Sequence, residues 1–491
     1  MNISPPLLNR DTAVLTPFVD AGILDASAVH VADAIARGVG GIDFESLLGA
    51  ALAARAPALG HVCIVPATVA DSIVIDDSRA PAPNDLPWPD PDLWVAGIAA
   101  SPAVRVADDP PGPVVLPLVW DGTRLYLERY WRYEQHVADD LLRRAGTPGG
   151  VAGDYPDLDS LLDPLFGPGA GSGGNRQREA AERALTSRLV VVAGGPGTGK
   201  TYTIARLLTA ALRVSLARGQ TLDFALAAPT GKASARMTEA VRDEIATTDL
   251  DQRVSDALRD AEATTIHRLL GPTPGIRFRH DQTNPLPHDL VIVDETSMVS
   301  LPLMSRLLAA VRPDATVVLV GDPYQLASVE AGAVLGEIVG TSTPTRPEGP
   351  LAHDVVLLER VHRFGADSPI AALADAVRVG DADLAVDLLR TDRSGELTWV
   401  DGDDAAGISV LQQEAAAGAV EAIRAAHAGD ASAGIRHASD LKVLCATRLG
   451  RLGVAAWSDR IEALAGACCR TPASDGAGTW AGRSSSCATT T

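Results

Sequence analysis

Between residues 175 and 340 the chain repeats one unit: an apolar β-rich run, a turn, then an amphipathic helix. The runs are 189-LVVVA-193, 222-LDFALAA-228, 289-DLVIVD-294 and 315-ATVVLVGD-322. A strand with one wet face alternates apolar and polar residues. These runs do not, so both faces must be covered, as in a parallel α/β sheet. The helical part is as clear: in 203-TIARLLTAALRVSLA-217, residues Ile204, Leu207, Leu208, Ala211 and Leu212 fall on one stripe.

The first run leads into 194-GGPGTGKT-201, which satisfies G-x-x-x-x-G-K-[ST] between a strand and a helix. Gly194, Gly195, Pro196, Gly197, Thr198 and Gly199 let the backbone wind tightly enough for successive N–H groups to face a phosphate, and the helix N-terminus adds its dipole. Lys200 is placed to bridge the β- and γ-phosphates of ATP, and Thr201 to offer its hydroxyl to Mg²⁺. Of the 42 Lys and Arg residues only three are lysines, Lys200, Lys232 and Lys442, so a lysine in this loop is not surface filler.

The third run ends in 294-DE-295. A carboxylate pair at a strand end of a P-loop fold has a defined chemistry. Asp294 holds the Mg²⁺ through water, and Glu295 orients and deprotonates the attacking water. After the fourth run, Gln325 in 321-GDPYQLASVEAG-332 is placed to sense the γ-phosphate from the side. Arg363, in 357-LLERVHRF-364, offers a fork for the charge that develops in phosphoryl transfer, although in isolation it also reads as an ordinary helix-surface arginine.

A net charge of −20 argues against a simple DNA coat but leaves room for a local basic channel. Thr230 and Lys232 lie in 227-AAPTGKASARM-237, again past a strand and opening a helix, where a second anion would be a polyanion rather than the same nucleotide. Thr265, His267 and Arg268 in 264-TTIHRLLG-271 are short polar and basic groups suited to the phosphates and sugars of single-stranded nucleic acid. Taken singly, each serves equally well as a helix cap or a core histidine.

Five cysteines are too few and too irregular for a disulfide framework. The N-terminus lacks the basic-then-apolar pattern of a secretory signal, and no apolar run is long enough to span a bilayer, so a soluble cytoplasmic protein is expected. Residues 1–150 mix helical stretches with a hairpin formed by 114-VVLPLVW-120 and 124-RLYLERYW-131 around an Asp-Gly turn, followed by a helix over 131–144. A linker is expected over 151–174, the first ATPase domain over 175–345, and a partial second α/β domain over 346–465 with strands at 355–359 and 441–446. The Ser/Thr/Cys-rich 466–491 is expected to be disordered.

In order along the chain, GGPGTGKT, APTGKA, TIHRLL, VDETSM, GDPYQL and ERVHRF resemble the motifs of superfamily 1 helicases of the RecD type. The segment 175-NRQREA-180 resembles their glutamine motif, which implies that Gln177 contacts adenine. In the first domain, 60-GHVC-63 and 125-LYLERYWRYE-134 are similar to the N-terminal domain of the RecD (alpha) subunit of exodeoxyribonuclease V, which docks on partner subunits. The resemblance implies two RecA-like domains, an ATP-driven 5′→3′ motor on single-stranded DNA, and assembly with RecB- and RecC-type subunits at double-strand ends during recombinational repair. A P-loop kinase or other small-molecule NTPase fits less well with Lys232 and the His267 segment.

The later family motifs, T-V-H-K-S-Q-G-like and Y-T-A-[VL]-T-R-A-like, do not occur, and similarity stops near residue 465. A truncated or frame-shifted C-terminus is the expectation. The alternative to a working motor is then a nucleotide- and partner-binding subunit that hydrolyses ATP poorly and does not translocate.

Overall fold

The computed structural model describes residues 12–73, 85–110, 114–153, 155–167, 175–248, 250–275, 277–326, 328, 330–340, 349–358, 368–448 and 450–469. The chain divides into two compact units, Met1–Ala366 and Asp367–Thr491.

After a short helical segment over 13–20, the first unit has helices Ala26–Gly38 and Phe44–Arg55, each started by an aspartate that caps the first turn: Asp25 accepts from Ala28 N and Asp43 from Ser46 N, both at 2.9 Å. They pack on a small sheet of strands β1 (Cys63–Ile64), β2 (Val104–Val106), β3 (Leu118–Trp120) and β4 (Leu125–Leu127), in the order β1-β4-β3-β2. The expected hairpin is β3–β4, with Trp120 opposite Leu125. Asp121 Oδ1 accepts from Thr123 N and Arg124 N at 2.9 and 2.7 Å, and Gly122 takes φ 95° to complete the turn. The strand starts only after Pro117, which has no amide hydrogen for a ladder.

The helix expected at 131–144 starts earlier and spans Glu128–Arg144. It carries the chain from the first core to the second, since Val137 and Leu141 join a core against the larger, six-stranded sheet. Its last residue, Arg144, is completely buried: Nε donates to Asp140 Oδ1 at 2.5 Å, and the other nitrogens donate to the carbonyls of Ala315, Val311 and Arg312 at 2.7, 3.1 and 3.0 Å. The N-terminal residues thus keep a sheet and core of their own, and this helix ties them to the larger sheet within one compact unit.

The second sheet has six parallel strands: β5 (Leu189–Gly194), β6 (Phe224–Ala228), β7 (Thr264–Thr265), β8 (Leu290–Val293), β9 (Thr316–Gly321) and β10 (Val355–Leu358), in the order β10-β5-β9-β8-β6-β7. Two cores lie on its faces. Val190, Val192, Leu290, Ile292, Val318 and Val320 enter one, while Leu189, Val191, Val291, Val293, Val317 and Leu319 enter the other. The unbroken apolar runs are what two covered faces require.

Three expectations change. The strand at 355–359 does not open a second domain: β10 pairs with β5, Val355 opposite Val191 and Leu358 opposite Gly194. With helices over both faces of the six-stranded sheet, an apolar strand is satisfied at its edge. The expected linker over 151–174 contains helix Leu158–Phe166, whose Leu162, Leu165 and Phe166 are buried in the core on one face of the six-stranded sheet; the Gly/Ser-rich 168–174 lie outside the described residues. In the second unit the described residues form helices Pro369–Val379, Ala382–Thr391, Ala405–His427, Ala431–Asp440 and Val454–Cys469 and no strand. The strand expected at 441–446 is absent, and Leu444 is 93% exposed, because no described strand of that unit pairs with it. Helix Val454–Cys469 runs into the tail expected to be disordered, of which 470–491 lie outside the described residues. Among the described residues no helix is long and apolar enough to cross a membrane.

Candidate functional site: a phosphate loop and a strand-end carboxylate pair

The loop after β5 is shaped by three glycines. A Cβ on Gly194 would stand 2.6 Å from Thr198 Oγ1 and 2.9 Å from Leu358 Cβ, so no side chain fits there. Gly197 and Gly199 take φ 79° and 82°, turning the backbone into helix Lys200–Ala217. Thr198 is 3% exposed and its hydroxyl donates to Gly195 O at 2.9 Å, drawing the loop closed. Lys200 Nζ donates to Gly194 O and Gly195 O at 2.6 and 2.9 Å, which puts the ammonium across the mouth of the loop. Gln177, in the first turn of helix Arg176–Thr186, donates through Nε2 to Thr198 O at 3.2 Å. That bond ties Gln177 directly to the phosphate loop.

Two strands from β5 lies β8, with β9 between them. At its end Asp294 donates its amide to Ala227 O at 2.9 Å and accepts Glu295 N on Oδ1 at 2.8 Å. Burial pushes the Asp294 carboxyl up to about 6; the Glu295 amide pulls it down, the Glu295 carboxylate pushes it up, and the Lys200 ammonium pulls it down. Glu295 has φ 50°, alone in that region among the described non-glycine residues, and its Oε2 is buried without a hydrogen-bond partner.

A buried carboxylate next to an orphaned carboxylate oxygen, with one ammonium within electrostatic reach, suits a hard divalent cation. Thr201 and Asp294 carry the oxygen atoms that would hold such a cation, with phosphate and water completing its shell. No group of three His, Cys, Asp or Glu occurs among the described residues to form a self-sufficient metal site.

Relaxing the Glu295 backbone should stabilise the fold. Glu295→Gly is expected to raise the unfolding free energy by about 1 kcal/mol without nucleotide, because a left-handed non-glycine residue stores strain of that order. A lower denaturant midpoint than the unaltered chain would show that the glutamate side chain contributes more than its backbone costs.

Gln325 follows β9 at the same sheet edge. It is exposed and lines an open cleft of about 640 Å³ together with Tyr126, Glu134, Ser297 and Glu337. Asp322, 2% exposed, joins the site from the structure alone; its carboxylate accepts from Tyr324 N at 3.1 Å and holds the turn that presents Gln325. An Asp just after an apolar strand, repeating the pattern of Asp294, is the signal in the sequence that points to it. Arg363 lies outside the described residues.

The other set gathers at the far end of the same edge. Thr230 caps helix Gly231–Thr247 by accepting Ala233 N at 3.2 Å, and Thr265 caps helix Ile266–Leu270 by accepting Arg268 N at 3.3 Å. Ala228 pairs with Thr265, so the two caps lie on adjacent strands. Lys232, His267 and Arg268 are exposed, and His267 meets the Phe278 ring edge-on at 5.8 Å between centroids. β6 is not the neighbour of β5: three strand spacings, about 14 Å, separate them.

A P-loop, a strand-end carboxylate pair and this parallel sheet define a RecA-like nucleoside triphosphatase. Residues 177–331 match the AAA domain family, and residues 20–126 match the family described as RecBCD enzyme subunit RecD, N-terminal domain. The RecBCD enzyme subunit RecD of Mycobacterium tuberculosis is 43% identical over 460 residues, covering 92% of this chain and 72% of that protein. The corresponding subunit of Mycolicibacterium smegmatis is 44% identical over 447 residues, 90% of this chain and 73% of that protein. The ATP-dependent RecD2 DNA helicase of Deinococcus radiodurans is 34% identical over 261 residues, 53% of this chain and 30% of its own length. The chain belongs to the family of RecBCD enzyme RecD subunits.

Proposed function

We propose that the protein is an ATP-dependent 5′→3′ DNA helicase subunit of a RecBCD-type complex, working in the cytoplasm with RecB- and RecC-type subunits on double-strand ends during recombinational repair. One observation carries the reading: the phosphate loop and the Thr230/Lys232/Thr265/His267/Arg268 cluster share one sheet edge but stand three to four strand spacings apart, so nucleotide and polyanion have separate places along it.

In this reading Gln177 contacts adenine, and the amides from Gly194, Gly195, Gly197, Thr198 and Gly199, beside Pro196, cradle the phosphates. Thr201 and Asp294 hold Mg²⁺, which neutralises phosphate charge when bound. Lys200 exchanges the Gly194 and Gly195 carbonyls for phosphate oxygens. Glu295 positions the attacking water and takes its proton on the carboxylate oxygen that has no partner in the protein. Gln325 senses the γ-phosphate, and Arg363 supplies the cation for the developing charge.

Single-stranded DNA is expected to stimulate ATP turnover. Lys232→Ala with Arg268→Ala should weaken oligonucleotide binding whatever its sequence. The slope of log affinity against log salt should become shallower by about 0.7 for each phosphate no longer neutralised. Nucleotide binding without any DNA stimulation would overturn the motor reading and leave a nucleotide- and partner-binding subunit.

A further inference from the structure

Arg178 is 7% exposed and follows Gln177 directly in the first turn of helix Arg176–Thr186. Its guanidinium pairs with Asp159, reaches Asp163 Oδ1 at 3.1 Å, and reaches Glu182 Oε2 at 3.3 Å. Asp159 and Asp163 both come from helix Leu158–Phe166, whose apolar face is buried in the ATPase core. Asn175 adds a second tie between the same two helices: its Oδ1 accepts Arg178 N at 3.2 Å while its Nδ2 donates to Phe166 O at 2.5 Å. Gln177 does something different from its neighbour, donating to Thr198 O in the phosphate loop at 3.2 Å.

Consecutive helical residues point about 100° apart, so Gln177 and Arg178 serve different faces of one turn. One face is bolted to the short helix and the other addresses the nucleotide site. Arg suits the bolted face because its planar fork fixes direction as well as charge, which a lysine ammonium does not. A single ion pair would suffice to neutralise a buried guanidinium; two aspartates one helical turn apart also fix where the Gln177 turn sits.

We propose that Arg178, held by Asp159 and Asp163, is a positioning residue for base recognition: it sets the first turn of its helix so that the Gln177 amide meets the base of the bound nucleotide. This rests on Gln177 being the adenine contact. Helix Leu158–Phe166 thereby becomes a brace for purine selectivity rather than a spacer.

The test compares kcat and KM for ATP and GTP in the full chain for four variants: Gln177→Ala, Arg178→Ala, Asp159→Asn with Asp163→Asn, and Gln177→Ala with Arg178→Ala. Gln177→Ala is expected to lower the ATP-over-GTP preference in kcat/KM by about tenfold, the scale of removing one polar interaction with a base. Arg178→Ala and the double asparagine variant should lower it comparably, through KM for ATP, with kcat within about twofold and inhibition by inorganic tripolyphosphate unchanged. The Gln177/Arg178 double variant should be no worse than Gln177→Ala alone, since both act through one interaction. Asp159 and Asp163 side chains are 80% and 43% exposed, so the asparagine variant tests the brace even if Arg178→Ala does not fold. A preference that falls in Gln177→Ala but stays intact in both Arg178→Ala and the double asparagine variant overturns the proposal, as does an equal loss toward ATP, GTP and tripolyphosphate. If Gln177→Ala itself leaves the preference unchanged, the adenine contact is wrong and the proposal falls with it.

Discussion

Lys200→Ala is expected to abolish ATP turnover while leaving the fold in place. The ammonium sits over the phosphate loop on two carbonyl oxygens, Gly194 O at 2.6 Å and Gly195 O at 2.9 Å, and a phosphate would draw it off them. In the transition state it is the one side-chain cation that the described site supplies, so its loss should lower kcat by about 10²–10³, the usual effect of deleting one charge-stabilising donor. Stability should change by about 1 kcal/mol: Gly194 is buried, but Gly195 and Lys200 are half-buried, so water can enter where the ammonium stood. Lys200→Arg is the sharper control. It restores the charge in a chain that otherwise uses arginine almost everywhere, but a planar fork cannot fit a loop closed around a point donor. Turnover is expected to stay low in both, measured beside thermal unfolding curves that superimpose on the unaltered chain. Turnover of Lys200→Ala within tenfold of the unaltered chain would remove Lys200 from the chemistry.

What is legible in the sequence and what is hidden divide along physical lines. β5, β6, β8 and β9 are evident because a strand covered on both faces must be apolar at every position, and Leu189–Ala193 states that locally. The loop is evident because Gly197 and Gly199 mark positive φ and Lys200 has few substitutes in this chain. β10 is expected in the wrong domain because an edge strand's partner is not written in its own residues: Val355–Leu358 would serve either sheet. The brace helix is hidden by its surroundings, since the Gly/Ser run after Phe166 dominates 151–174 although Leu158, Leu161, Leu162 and Leu165 carry a helical stripe. Arg144 is invisible altogether. Nothing in 131-WRYEQHVADDLLRR-144 distinguishes it from Arg143, yet Arg144 is fully buried on three carbonyls while Arg143 remains exposed. Glu295's left-handed backbone is equally hidden, as glutamate carries no preference for it.

Asp294→Asn should separate stability from function in opposite directions. Burial holds the Asp294 carboxyl at about 6, above its ordinary 3.8, so the folded state binds a proton more tightly than the unfolded chain does. That contribution to stability is fully present below about pH 4 and is lost as pH climbs through about 6. At pH 8 the nucleotide-free protein carries a buried carboxylate at a cost on the order of 3 kcal/mol, an upper bound from the pKa difference. Asparagine keeps the oxygen that accepts Glu295 N at 2.8 Å and has nothing to ionise. The nucleotide-free variant should therefore unfold at higher denaturant than the unaltered chain at pH 8, and the difference should shrink steadily toward pH 4. Adding Mg²⁺ and a non-hydrolysable ATP analogue should narrow that gap or close it. The unaltered chain gains about 2.7 kcal/mol at a hundredfold excess over Kd, while the variant, having lost the anionic cation ligand, gains less. ATP turnover should fall by about 10²–10³ because the cation no longer sits against the phosphates. Denaturant curves at pH 4, 6 and 8, with and without nucleotide, read every part of this. A nucleotide-free Asp294→Asn protein less stable than the unaltered chain at pH 8 would mean that Asp294 is already compensated by a neighbour, and that the site does not rely on a bound cation to balance its charge.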